Sequence, residues 1–321
     1  MDVTISEVGP RDGLQSIKRT LPTEAKHRWI AALAQAGLRE IEVGSFVSPK
    51  VLPQMADCTE VVARARTIPG LRIVALVPNL RYATMAFEAG THVVTIPVSV
   101  SEPHSIANIR KNHAEIIAEV GAIVALRNAR FPDIKVETSL STAFGCTIQG
   151  VVPEADVLRM AAAMVKAGSD VINLADTVGY ANPAQVRRLF ARVCAEVGDK
   201  TGGAHLHNTR GQGLANVVAA LDAGVTTFDS SQGGIGGCPY APGATGNIVT
   251  EDLVFLLESM GLDTGIDLDR LIAARAILAE ALYGHVPAAG LPKGFAPAAR
   301  AASAAVQKSA SFLRRVGHAD F

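Results

Sequence analysis

Val3-Thr4-Ile5-Ser6-Glu7-Val8 reads as a strand, Gly9-Pro10-Arg11-Asp12-Gly13-Leu14-Gln15 as the turn that ends it, and residues 23–35 as the helix that follows. That strand–turn–helix order recurs along the chain. Short β-branched runs return at intervals of very roughly 30 residues, each followed by an alanine-, leucine- and charge-rich segment of helical period, the pattern of repeated βα units. Strands are predicted at 3–8, 40–43, 72–77, 92–100, 135–141, 170–175, 203–207 and 227–230, and helices at 23–35, 60–67, 108–128, 153–166, 182–196, 212–223 and 250–259. About eight strands is the number that closes a parallel barrel, so the expected fold is α/β, a (β/α)8 TIM barrel with a short C-terminal helical extension. A doubly wound open sheet is the alternative that the same alternation permits. Gly37, Gly90, Gly168, Gly224 and Gly261 follow helical segments, as left-handed C-caps would.

The chain has 321 residues, 49% of them hydrophobic, enough for a sizeable core and more than the ~250 of a typical barrel. We expect one catalytic domain over 1–290 and an alanine-rich helical tail over 291–321. Lysine plus arginine equals aspartate plus glutamate at 30 each, so no net field draws nucleic acid or an anionic membrane. No signal peptide and no membrane span is read. Cys58, Cys146, Cys194 and Cys238 lack metal-type spacing, which suits free thiols in a reducing cytoplasm.

Barrel active sites lie where strands end. Arg11-Asp12 after strand one is either a solvated loop pair or a cation held beside a carboxylate. Glu42, inside Ile41-Glu42-Val43, is an acid in an apolar run and needs a cation or metal-bound water as partner. His205 and His207 stand two apart on strand seven, so both imidazoles face one side, about 7 Å apart along the strand. They are either satisfied core groups or metal ligands. Asp12 and Asn247 follow the strands that come next around a closed barrel, so four N and O ligands can meet. Such a set, without thiolate, suits Mg²⁺ or Mn²⁺ better than Zn²⁺. The glycine-dense stretch 233–243 is either a phosphate nest or, the preferred reading, a mobile loop that carries Cys238 over the site. Asp176 ends strand six, where it either orients a ligand or Arg11 or caps the next helix.

Val8-Gly-Pro-Arg-Asp-Gly-Leu-Gln15, Gly44-Ser-Phe-Val-Ser-Pro-Lys50, Pro53-Gln-Met55, the His205/His207 pair, Gly236-Gly-Cys-Pro-Tyr240 and Gly246-Asn247 resemble the hydroxymethylglutaryl-CoA lyases of the aldolase-like metal-dependent TIM-barrel lyases, from about Ile5 to about Thr264. Arg-Asp-Gly and His-x-His are shared with isopropylmalate and homocitrate synthases. The Ser-Phe-Val-Ser-Pro-Lys and Gly-Gly-Cys-Pro-Tyr segments are more specific to the lyases.

The resemblance implies a divalent cation held at Asp12, His205, His207 and Asn247. It makes Arg11 the group that polarises a thioester carbonyl, Glu42 a required neighbour and Cys238 a catalytic thiol, with His205 doubling in proton transfer. Gln15 and Asp176 join Arg11 as expected substrate contacts. The implied reaction is retro-Claisen cleavage of 3-hydroxy-3-methylglutaryl-CoA to acetyl-CoA and acetoacetate, by a protein expected to be a cytoplasmic homodimer.

Several positions depart from the family pattern. His205-Leu-His-Asn208 replaces His-Cys-His-Asp, and Gly145-Cys-Thr-Ile-Gln-Gly150 replaces Gly-Cys-Pro-aromatic-Glu-Gly. His104 stands where an aromatic residue is usual, and Asn108-Ile-Arg110 replaces Asn-Ile-Asn. These touch the acid half of the substrate, so a citramalyl- or methylmalyl-CoA type thioester is the alternative; a condensing synthase and a non-catalytic barrel are the remaining readings. His104 and His113 are expected at the surface. Arg110 is read as a surface residue or a carboxylate contact, and Lys50 as solvated or facing CoA phosphates. The residues that bind the CoA nucleotide cannot be mapped from sequence.

Overall fold

The structure is a computed structural model and describes residues 1–236 and 246–283. Eight parallel strands among them close into a barrel: β1 (Thr4–Glu7), β2 (Glu40–Ser45), β3 (Arg72–Leu76), β4 (Val93–Ser99), β5 (Lys135–Ser141), β6 (Val171–Asp176), β7 (Thr201–Leu206) and β8 (Thr227–Ser230). Closure runs through β1 and β8, paired from Thr4↔Thr227 to Glu7↔Ser230. The open sheet is thereby excluded.

The helices follow in turn as α1 (Thr23–Gln35), α2 (Cys58–Ala65), α3 (Leu80–Ala89), α4 (Glu102–Ile109), α5 (His113–Arg130), α6 (Glu154–Lys166), α7 (Pro183–Val197), α8 (Gly213–Leu221), α9 (Thr250–Ser259) and α10 (Leu268–Tyr283). None of the described helices is long and apolar enough to cross a membrane.

Strand alternation divides the molecule into two environments. On β4, Val94, Ile96 and Val98 are fully buried beneath the helices, while Thr95 and Pro97 face the barrel axis and line its cavity. The axis is unusually polar. Arg72 bridges Glu40 at 3.2 Å and Glu137 at 3.0 Å, and Asn173 donates to the other oxygen of Glu137 at 3.2 Å. Barrel interiors are commonly filled by layers of branched aliphatic residues. Here a charged layer takes their place, and a cavity of about 740 Å³ runs from the strand C-terminal mouth down to Arg72.

Three helical expectations are corrected. The segment read as one helix over 108–128 is two, because Asn112 and Glu115 form a reciprocal capping box that starts α5, while Arg110 leaves α4 in a left-handed turn at φ 57°. Helix α3, started by the Asn79 side chain, and helix α10, packed on α1, were not anticipated. The five helix-ending glycines do adopt positive φ. The expected tail over 291–321 lies outside the described residues.

Candidate active site

Arg11 and Asp12 sit on a single π-helical turn, Gly9–Gly13, entirely buried at the end of β1. The Val8 carbonyl accepts from the amides of Arg11 at 3.1 Å, Asp12 at 2.7 Å and Gly13 at 3.2 Å, a wide turn of the kind often found at functional sites. Glu7 anchors it. One Glu7 oxygen accepts from the Gly9 amide at 2.8 Å and the Gln232 amide at 2.9 Å, and the other from the Thr250 hydroxyl at 2.7 Å. The turn is thus tied to the segment following β8.

The guanidinium so presented is gripped by two carboxylates. Arg11 Nε donates to Glu42 Oε2 at 2.6 Å and Nη1 to Asp12 Oδ1 at 2.6 Å. No acceptor among the described residues takes Nη2, and Arg11 lines the cavity. Glu42 stands on β2 where its register with β3 shifts. Burial pushes the Glu42 carboxyl up to about 7 despite the Arg11 charge, and its Oε1 has no hydrogen-bond partner among the described residues.

Asp12 faces β7 with its other oxygen. A ligand atom from each of Asp12, His205 and His207 lies within 4.8 Å of the others. The two Nε2 atoms are 3.2 Å apart, and His207 Nε2 is 3.9 Å from Asp12 Oδ2. Asn247 joins them through its backbone bridge to His207 and donates Nδ2 to Asp12 Oδ2 at 2.7 Å, while its Oδ1 is buried with no partner among the described residues.

Burial works against the Asp12 carboxylate, but Arg11, the two imidazoles and Asn247 together hold it at about 2. His207 is pushed down to about 4, first by burial and then by His205. Burial lowers His205 as well, yet the hydrogen bond to Asp229 and the charges of Asp229 and Asp12 together outweigh it and raise the group.

These residues fit a hard divalent cation. Adjacent ligands of an octahedral ion with bonds of ~2.1 Å are about 3 Å apart, close to the spacing of the imidazole nitrogens. The unpartnered Asn247 oxygen is a ready fourth donor. The donor set is imidazole, carboxylate and amide oxygen, the combination suited to Mg²⁺ or Mn²⁺.

Other expected site residues are placed as follows. Gln15 lines the cavity and donates to Asp12 at 3.1 Å. Asp176 spends its carboxylate on the backbone amides of Tyr180 at 2.8 Å and Ala181 at 3.1 Å, and Asn182 caps α7; Asp176 therefore braces a mouth loop and reaches neither Arg11 nor the cavity lining. Cys238 lies outside the described residues.

His104 is corrected from surface to interior. It is 2% exposed, bonds Ser99 through Nδ1 at 2.8 Å and lines the cavity, because α4 turns that face onto β4. Arg110 and Lys50 are exposed and do not line it. Asp229 was missed. Its Oδ2 lies 3.0 Å from His205 Nδ1, and the pairing of strands 203–207 and 227–230 would have put it there.

Residues 2–278 match the profile of the HMGL-like family. A hydroxymethylglutaryl-CoA lyase of Bacillus subtilis is 40% identical over 292 residues, 90% of this chain and 96% of that protein. The solved hydroxymethylglutaryl-CoA lyase of Pseudomonas aeruginosa superposes with a TM-score of 0.85 at 38% identity, over 95% of this chain and 98% of that one. An HMG-CoA lyase of Acinetobacter baumannii, solved with coenzyme A and 3-methylmalate, gives 0.82 at 40% identity over 87% and 91%.

Proposed function

The chain belongs to the HMGL-like family, and we propose that it is a carbon–carbon lyase cleaving 3-hydroxy-3-methylglutaryl-CoA to acetyl-CoA and acetoacetate at the mouth of this barrel. The observation that carries the reading is the convergence of Asp12, His205, His207 and Asn247 beside a buried guanidinium whose Nη2 meets no acceptor among the described residues.

When bound to those four residues, a divalent cation supplies Lewis acidity that lowers the pKa of the substrate hydroxyl and holds substrate oxygens. Asp12, an anion throughout the working pH range, serves as ligand and as the brace for Arg11. Glu42 lines the cavity, its buried Oε1 has no partner among the described residues, and it is suited to accept the hydroxyl proton, its carboxyl being near neutrality. As the carbon–carbon bond breaks, charge gathers on the thioester oxygen. Arg11 Nη2 is the preorganised donor for that oxygen, and Glu42 and Asp12 keep the guanidinium from turning away. Return of a proton to the enolate carbon is left to water or to Cys238, the catalytic thiol that the family resemblance implies.

The A. baumannii relative bound to 3-methylmalate, together with His104 on this chain's own cavity wall, favours one second reading: a related 3-hydroxy diacid thioester as substrate. A panel of purified thioesters assayed for acetyl-CoA release tests both. Fast turnover of hydroxymethylglutaryl-CoA is expected; negligible turnover of it beside fast cleavage of a citramalyl- or methylmalyl-CoA type compound would overturn the first reading. The free thiols Cys58, Cys146 and Cys194 support a reducing, cytoplasmic setting.

A further inference from the structure

His205 is anchored from outside the cluster it serves. On β8, directly across the strand pairing His205↔Asp229, the Asp229 carboxylate points into the barrel and places Oδ2 3.0 Å from His205 Nδ1. The opposite ring nitrogen, Nε2, faces His207 Nε2 at 3.2 Å. The ring is therefore bracketed, with a carboxylate on one nitrogen and the proposed metal position on the other.

We infer that Asp229 is a positioning residue for the metal centre, accepting the Nδ1–H of His205 so that the Nε2 lone pair is aimed at the ion. This rests on the metal reading of Asp12, His205, His207 and Asn247. The location of Asp229 supports it. The barrel axis already holds Glu42, Glu40 and Glu137, all with their carboxyls pushed up by burial, and the Asp229 charge raises each of them further. A fourth inward-facing carboxylate in that company adds repulsion. The imidazole N–H is the compensating partner that the structure provides. Carboxylates that accept from the far nitrogen of a metal-bound imidazole fix its tautomer and orientation, and their loss typically costs 10–100-fold in metal affinity.

The experiment is Mn²⁺ titration of the full chain, read from the EPR signal of free Mn²⁺, for wild type, Asp229→Ala, Asp229→Asn and His205→Ala. Wild type is expected to bind Mn²⁺ and His205→Ala to lose it. Asp229→Ala should bind about 10–100-fold more weakly, and Asp229→Asn, which keeps a neutral acceptor, by a smaller factor. Because Asp229 touches neither ion nor substrate in this role, raised Mn²⁺ should restore most of kcat in both Asp229 variants, which a general packing defect would not allow. If Asp229→Ala fails to fold, Asp229→Asn carries the test. Wild-type Mn²⁺ affinity in the folded Asp229 variants, alongside its loss in His205→Ala, would overturn this inference alone. Absence of Mn²⁺ binding by the wild type would overturn the metal reading and this inference together.

Discussion

The Nε of Arg11 donates to Oε2 of Glu42 at 2.6 Å, joining the turn after β1 to the bulged strand β2, with both side chains buried. Each group is the reason the other can be buried. A lone guanidinium or carboxylate there would face a desolvation cost of several kcal/mol.

Arg11→Lys is expected to lower kcat about 100- to 1000-fold with little change in KM, since an ammonium cannot reach Glu42, Asp12 and a thioester oxygen at once. Steady-state kinetics with hydroxymethylglutaryl-CoA checks this. A variant within about tenfold of wild type would remove Arg11 from the reaction centre.

Metal removal should be visible in both activity and stability. Chelation is expected to abolish turnover, and Mn²⁺ at about 100 times its Kd should add roughly 2.7 kcal/mol, worth several degrees in Tm. His207→Ala and Asn247→Ala should blunt that shift. Differential scanning fluorimetry with and without Mn²⁺ makes the comparison, and an unchanged shift in both variants would contradict the ligand set.

Gly236→Ala tests the packing behind the ligands. A Cβ at this residue, whose φ is 128°, would stand 2.5 Å from Asn247 Nδ2 and 3.2 Å from Asp12 Oδ2. Relieving the closer contact displaces the Asn247 side chain by about 1 Å, which is expected to cost on the order of 100-fold in kcat. Kinetics at saturating Mn²⁺, with circular dichroism to confirm the fold, decides it.

Glu7 sets a pH dependence of stability that is separate from catalysis. Burial pushes its carboxyl from 4.5 up to about 8 against the pull of its three hydrogen bonds. A carboxyl raised in the folded state contributes its stability fully below the unfolded pKa near 4.5 and loses it as pH climbs towards 8. Glu7→Gln keeps the acceptor for Gly9 and Gln232 and can donate to Thr250. It should therefore match wild type near pH 5 and exceed it above pH 8, by a few kcal/mol. Urea unfolding at the two pH values reads the difference; equal curves at high pH would reject the account.

Much of the architecture was legible in the linear pattern. Strands β5 and β8 and helices α1 and α9 lie at the expected bounds, because β-branched runs and helical periods there are flanked by turn residues. The break at Arg110 was hidden by continuous helical composition, although Asn112 and Glu115 carried the capping signal. Among site residues, Arg11, Asp12, His205, His207 and Asn247 were visible as chemistry-bearing types at strand ends, and the structure brings them together. Asp229 was overlooked because an acid in a short strand has no distinguishing local signal; only its neighbour across the ladder gives it a role.

By itself the sequence determined the repeat of βα units and the strand-end positions of the chemistry-bearing types, because periodicity and turn chemistry are local properties of the chain, whereas closure into a barrel was decided by the pairing of β1 with β8. Tertiary structure alone decided which way His104 faces, which carboxylate holds His205, and that Asp176 braces a loop instead of meeting Arg11. Those outcomes depend on strand register and on helix docking across long sequence separations, and no local pattern encodes the partner that a side chain will find there.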